Sequence, residues 1–422
     1  LADLLITQSY PQKPQYHKLL FTDQVAGSSD QDRFQAAFTA VANDIALGGG
    51  ASRQRYTHVG GRAGQVINLE SQILVTRRMS SGFIGAGRRE STSVGHNPYV
   101  NSTHIVCAAG FPSESVFRLE DNSDCTYSGF SVAGQSTSDR VLGVFGTKST
   151  SGAGTFRLRF ENLHFTWVEN FGIYMGQYTT APLLDSDSEY ININGFGCGR
   201  VDSVSGEPIG GMIRLGHNQS LVHRLQAIGL GGPESGVVLQ CDQAAFVWMH
   251  GVATTDAGCI LRIKKGNSNG GEIHVEHVRC EGILRRTRGL WIDGEAGGGY
   301  TDWSMVRVNC NAQFTAPTLF TGETVENPVY WAESRSRFQG TLEKIRGAGS
   351  KLIRIRNGAD NTEPTHVDVV ACNLGNSTLG NATLAGVSSA LAGHTVAGFR
   401  NYNYTGSGLS RIADGTFAGS GP

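Results

Sequence analysis

Charge is scarce in this 422-residue chain: 17% of residues are charged, and 35 Lys+Arg against 36 Asp+Glu leave a net charge of −1. A typical soluble domain carries about 25%. So balanced a chain offers no basic footprint for a nucleic acid or an anionic membrane, and nucleic acid is set aside as a partner. Lysine is scarcer still, seven residues against 28 arginines. The planar guanidinium fork suits subunit contacts and carboxylate recognition, although a GC-rich codon bias yields the same ratio. No apolar run approaches the ~20 residues of a membrane helix, so membrane insertion is not expected. No basic-then-apolar signal segment opens the chain either.

Paired metal-ligand spacings are missing as well. The eight cysteines (Cys107, Cys125, Cys198, Cys241, Cys259, Cys280, Cys310 and Cys372) form no CxxC pair and no Cys/His pair at zinc spacing. They read as small buried hydrophobes of a protein assembled in a reducing cytosol. There is no GxSxG, no P-loop, and no GxGxxG that follows a strand and opens a helix. Neither a cofactor nor a metal is therefore expected, and nucleotide chemistry is set aside.

Glycine is abundant: 57 of 422 residues, roughly twice the usual share of about 7%. Glycine disfavours helix interiors and supplies positive φ at turns, so the composition favours a turn-dense, strand-rich chain. One segment reads as a helix. From Asp30, Phe34, Ala37, Phe38, Val41 and Ile45 recur at helical spacing, Ser29 or Asp30 caps the first turn, and Gly48-Gly49-Gly50 stops it. Beyond it, short alternating runs at 105–107, 116–119, 156–160, 191–193, 237–239, 261–263, 306–308 and 352–355 are separated by Gly/Asn/Ser/Asp clusters. Val278-Arg279-Cys280 has a counterpart thirty residues on in Val308-Asn309-Cys310. Asn162, Asn309 and Asn311 sit at similar turns, where Asn takes the left-handed conformation or stacks in a ladder. One strand set per coil, with about 4.8 Å between coils, describes an all-β, single-stranded right-handed parallel β-helix with an N-terminal capping α-helix. Val278 and Val308, and Cys280 and Cys310, are expected to be neighbours in its interior ladders.

The opening residues carry a resemblance. Ser29-Asp30-Gln31-Asp32-Arg33-Phe34 leads to Gly48-Gly49-Gly50, then to Gly64-Gln65-Val66-Ile67-Asn68-Leu69, then to Gly82-Phe83-Ile84-Gly85-Ala86-Gly87. This order resembles the start of the pectate-lyase superfamily β-helix found in many phage tailspikes, from an acidic capping helix to an "IGAG" turn. The resemblance covers residues 29–88, and an Arg-rich insert at 52–62 departs from it. It implies a phage virion surface protein that binds a bacterial surface polysaccharide and, if it is an enzyme, cleaves it as a glycosidase or lyase, with three chains side by side as a homotrimer and assembly in the host cytoplasm. A non-enzymatic virion component, such as a capsid decoration or fibre protein, is the alternative; a secreted polysaccharide lyase or glycoside hydrolase is the third. Outward aromatics, assigned to Phe83, Tyr99, Trp167, Trp291, Trp303 and Trp331, would supply the contacts.

The expected organisation is an extended arm at 1–20 that contacts other virion proteins, a β-helix domain at 21–400 and a tail at 401–422. Glycosidase chemistry needs two carboxyl groups at fixed separation. Asp242, Glu272 and Asp302 fall at equal thirty-residue steps, which would stand them in one outward column as catalytic residues, with Glu272 the general acid. Trp248, His250, His274, Arg279 and Trp303 lie near them in sequence as substrate-binding candidates. Asp185, Asp187 and Glu189 form a weaker, calcium-like run, and alternation places His274 and Glu276 on one strand face.

Overall fold

The computed structural model describes residues 19–47, 58–76, 81–88, 102–149, 154–178 and 187–201, and then mainly strand segments between 208 and 418, with side chains described as far as Arg262. Among these residues the strands form one eighteen-stranded sheet and one eleven-stranded sheet, and every pairing within the two is parallel. Each coil contributes one strand to the eleven-stranded sheet, which therefore counts eleven coils. Each coil adds a longer strand, or two short ones, to the other sheet. This is a parallel β-helix, and parallel connections of this kind are right-handed.

The helix spans Asp30–Leu47. Ser29 caps it, its Oγ accepting the Asp32 backbone N–H at 3.1 Å. Phe34, Ala37, Phe38 and Val41 are buried; the Phe34 ring meets Phe83 at 4.9 Å and Phe117 at 5.7 Å, both edge-on. Its polar side chains occupy the place a further strand would take. Asp30 Oδ2 accepts the Asn68 N–H at 2.9 Å, and Gln35 both accepts the Leu74 N–H at 2.9 Å and donates to the Leu74 carbonyl at 3.0 Å. An otherwise open sheet edge is thereby covered.

Inside, side chains stack coil upon coil. Tyr127, Phe160 and Tyr190 are in register, with ring centroids 5.7 and 5.5 Å apart and planes within 19°. Phe117 and Phe145 stack likewise at 5.0 Å. Phe83 is fully buried and meets Phe130 at 4.8 Å, so its assignment to the outside is corrected. Gly82, at φ +143 with no room for a Cβ against the Thr126 carbonyl, turns the chain so that Phe83 enters the core. Trp167 is half-buried at a corner, packed on Phe196 at 4.8 Å. Trp291 and Trp331 are register partners, while Tyr99 and Trp303 lie outside the described residues.

Corners follow from left-handed residues in columns. Gly129, Asn162, Asn192, Arg224 and Gly251 occupy equivalent positions on successive coils with φ of 72, 52, 56, 55 and 68°. Asp124, Arg157 and Asp187 form a second such column. The thirty-residue step is real in places: Arg159 pairs with Glu189. It fails where it was read. Ile273 pairs with Val308, Val278 with Ala312, Val275 with Cys310 and Cys280 with Phe314, with an irregularity between Val275 and Val278. Coil length is set by loops that vary, so equal spacing in sequence does not make a ladder.

Candidate functional site

The candidate site is built by strand alternation on the outer face of the larger sheet. In Phe246–His250, Met249 is fully buried and Trp248 is 52% exposed, so Trp248 and His250 face outward together. Parallel pairing sets Leu221 and His223 on one side of them, and His274 and Glu276 on the other. One row thus runs Leu221, Trp248, His274 and the next His223, His250, Glu276. Rows on adjacent strands lie about 4.8 Å apart.

The same face continues toward the N-terminus with charge. Arg159, in register with Glu189, holds the Glu161 carboxylate at 2.9 Å and the Glu189 carboxylate at 2.7 Å. All three are partly exposed, so the network orients side chains more than it stabilises the fold. Arg157, on the neighbouring corner, forks onto Asp124 at 2.6 and 2.9 Å.

His223 and His250 stack, their ring centroids 5.1 Å apart and their planes 12° from parallel. Burial, then the neighbouring His250 and Arg224, hold the His223 imidazole below its ordinary range. The neutral form, with one nitrogen bearing a lone pair and the other an N–H, is thereby favoured.

Of the residues expected from sequence, Trp248 and His250 are brought together, and His274 joins them by register. Arg279 lies farther along the same strand, opposite Ala253 and Gln313, beyond the irregularity. Asp242, Asp302 and Trp303 lie outside the described residues. Glu272, the one described member of the equal-step acids, pairs with Phe246 on one side and Arg307 on the other. Of the calcium-like run, Glu189 is held by Arg159, Asp187 sits in a corner column and Asp185 is outside the described residues. His223, Arg159 and Glu161 were missed. The coil joining His223 to His250 is shorter than thirty residues, and a fixed-step search passes over it.

No protein-family profile matches the chain, and no curated protein matches it. Solved structures similar to it include two A-modules from Azotobacter vinelandii. That of mannuronan C-5 epimerase AlgE6 is 13% identical over 92% of this chain and all of that one, with a TM-score of 0.38. That of mannuronan C-5 epimerase AlgE4 is 12% identical over 90% of this chain and all of that one, at 0.35. The β-helix assignment rests on the strand pairing itself.

Proposed function

We propose that this chain binds a bacterial surface polysaccharide along the outer face of its larger sheet, with Trp248 as the sugar platform. The observation that carries this reading is Trp248 itself, the most exposed large hydrophobic side chain among the described residues. It stands on a rigid sheet in the row that continues through Leu221 to Glu189 and Arg159, beside the row of Glu161, His223 and His250. An exposed indole costs solubility unless a ligand uses it, and polar groups at fixed rises around it can orient hydroxyls.

The motif series through residues 29–88 supports a finer reading: a phage virion protein, trimeric, whose arm at 1–20 meets other virion proteins. Binding, not cleavage, is the activity proposed. The row through Glu272 holds Phe246 and Arg307, not two further carboxylates, and the Glu161 and Glu189 carboxylates are both occupied by Arg159. A role for Asp242, Glu272 and Asp302 in catalysis would need another geometry than one column.

The test is an array of bacterial surface polysaccharides probed with the wild type and Trp248→Ala. The expected result is binding by the wild type and at least a tenfold loss in the variant, about 1.4 kcal/mol. Equal binding by the two proteins would move the site elsewhere. A wild type that binds no glycan would favour the architectural virion role.

A further inference from the structure

We infer that the outer face of the smaller sheet binds a carboxylate-bearing polysaccharide, with tyrosines under its sugar rings and arginines on its carboxylates. This is a second site, on the other sheet from Trp248, and it does not rest on the reading given for that residue. Parallel pairing threads one row through Arg118, Gly146, Tyr174, Arg214, Gln240 and Arg262 on successive coils. Their strand neighbours Phe117, Leu119, Ile173, Ile213, Leu215 and Leu261 are buried, which turns Arg118, Tyr174, Arg214 and Arg262 outward, each partly exposed.

Two cations of this row are laid on aromatic rings. The Arg214 guanidinium carbon stands 4.1 Å from the Tyr174 ring centroid, and that of Arg118 stands 4.7 Å from the centroid of Tyr178. Tyr178 lies over Gly146, where a side chain would collide with it, and so brings a ring to the position of the row that has no side chain. Its hydroxyl is held by Ser115 Oγ at 2.8 Å and accepts from Gln72 Nε2 at 3.1 Å. The platform is therefore fixed before a ligand arrives. A ring contact uses the face of a guanidinium, whereas a carboxylate meets the in-plane N–H fork with two parallel bonds. Ring and carboxylate together are the two parts of a uronic acid. Charge points the same way. Among the described outward side chains of this sheet, Arg118, Lys148, Arg214 and Arg262 outweigh Glu120, which Arg118 and Lys148 approach at 2.6 and 3.4 Å. On the larger sheet Arg159 is shared by two carboxylates, so an acidic chain is drawn to the smaller one. Arg118 and Arg214 lie three strand spacings apart, and Arg214 and Arg262 two, about 14 and about 10 Å. Only a polymer reaches all three.

The test is calorimetric titration of the full chain with polygalacturonate, polyglucuronate and hyaluronate, with dextran sulfate as the control for charge alone. Saturable binding of at least one polyuronate is expected, weakened at least about tenfold when its carboxylates are methyl-esterified. Raising sodium chloride from about 0.05 to about 0.5 M should weaken it as well. Arg214→Gln and Arg262→Gln should each cost about tenfold, and Arg214→Lys, which keeps the charge without the fork, should recover only part of the loss. Circular dichroism checks that each variant is folded, and the methyl-ester comparison needs no variant. No binding of any of the polyuronates, equal binding of the methyl ester, or equal binding of dextran sulfate would overturn the proposal. Binding undiminished in the double variant Arg214→Gln/Arg262→Gln would also overturn it, and loss in Trp248→Ala instead would put the acidic chain on the larger sheet. Neutral glycans report on Trp248 alone, so the two sites fail separately.

Discussion

At the scale of single residues, the corner column shows what backbone conformation demands. An L-residue other than Gly, Asn or Asp in the left-handed region costs roughly 1–2 kcal/mol. Asn192 reduces that cost and adds contacts. Its Nδ2 donates to Asn162 Oδ1 at 2.5 Å, and Arg88 donates to both its side-chain oxygen, at 3.0 Å, and its carbonyl. Arg88 follows the Gly82–Gly87 turn, so a residue of the first coils closes over an asparagine ladder more than a hundred positions away. Asn192→Ala loses the conformational preference and the ladder together, an expected cost of about 2–3 kcal/mol. Asn192→Gly loses only the ladder, about 1 kcal/mol. Chemical denaturation of the two variants separates the contributions, and equal losses would remove the backbone argument. The asparagine signal was legible at Asn162 from its place in a turn. Arg224 in the same column was not, because nothing in an arginine marks left-handed backbone.

At the scale of elements, the capping helix was readable to its bounds, Asp30–Leu47, because local rules settle it: an apolar stripe, a serine cap and a glycine stop. Its docking was not readable, since that depends on which strand edge it covers. Asp30 joins the two. Burial alone would raise its carboxyl, but the Asn68 backbone N–H, the Arg33 guanidinium at 2.6 Å and the Asn68 amide outweigh it and hold the group below its ordinary 3.8. A depressed folded value means that the charged form stabilises the fold. Its contribution is present above pH 3.8 and is lost as the pH falls through the lower folded value. Asp30→Asn, which cannot titrate, should therefore be less stable than the wild type near neutrality and show a shallower loss of stability below pH 3.8. Urea unfolding across that window measures both; parallel curves would show that the cap contributes no titrating charge.

At the scale of the whole molecule, sequence texture was enough for the solenoid and insufficient for the site, for one reason. A β-helix is specified coil by coil through alternation and turns, which each short run displays. Which side chains become neighbours depends on loop lengths accumulated between runs, and a shift of five residues puts Arg307 beside Glu272 where Asp302 was expected. Trp248 and His250 stand together because they lie on one strand, where only alternation matters. The stack also makes stability largely local, since the strands of each coil pair only with those of its neighbours. Large aromatics line the coils from Phe34 to Tyr190, and aromatic pairs add about 0.5–1.5 kcal/mol each beyond burial. Cys107 and Cys125 are buried free thiols within this part, while Cys198 lies at its far end, half-buried, with its sulfur 3.8 Å from the Phe165 carbonyl. Burial pushes the Cys107 and Cys198 thiols up to about 12, so neither forms thiolate readily, and the enclosed Cys107 reacts only when its coil opens. Thiol labelling in sub-denaturing urea, followed by peptide mass spectrometry, should modify Cys198 before Cys107 and Cys125 if the aromatic coils hold longest. Simultaneous modification of all three would mean that the coils open as one cooperative unit.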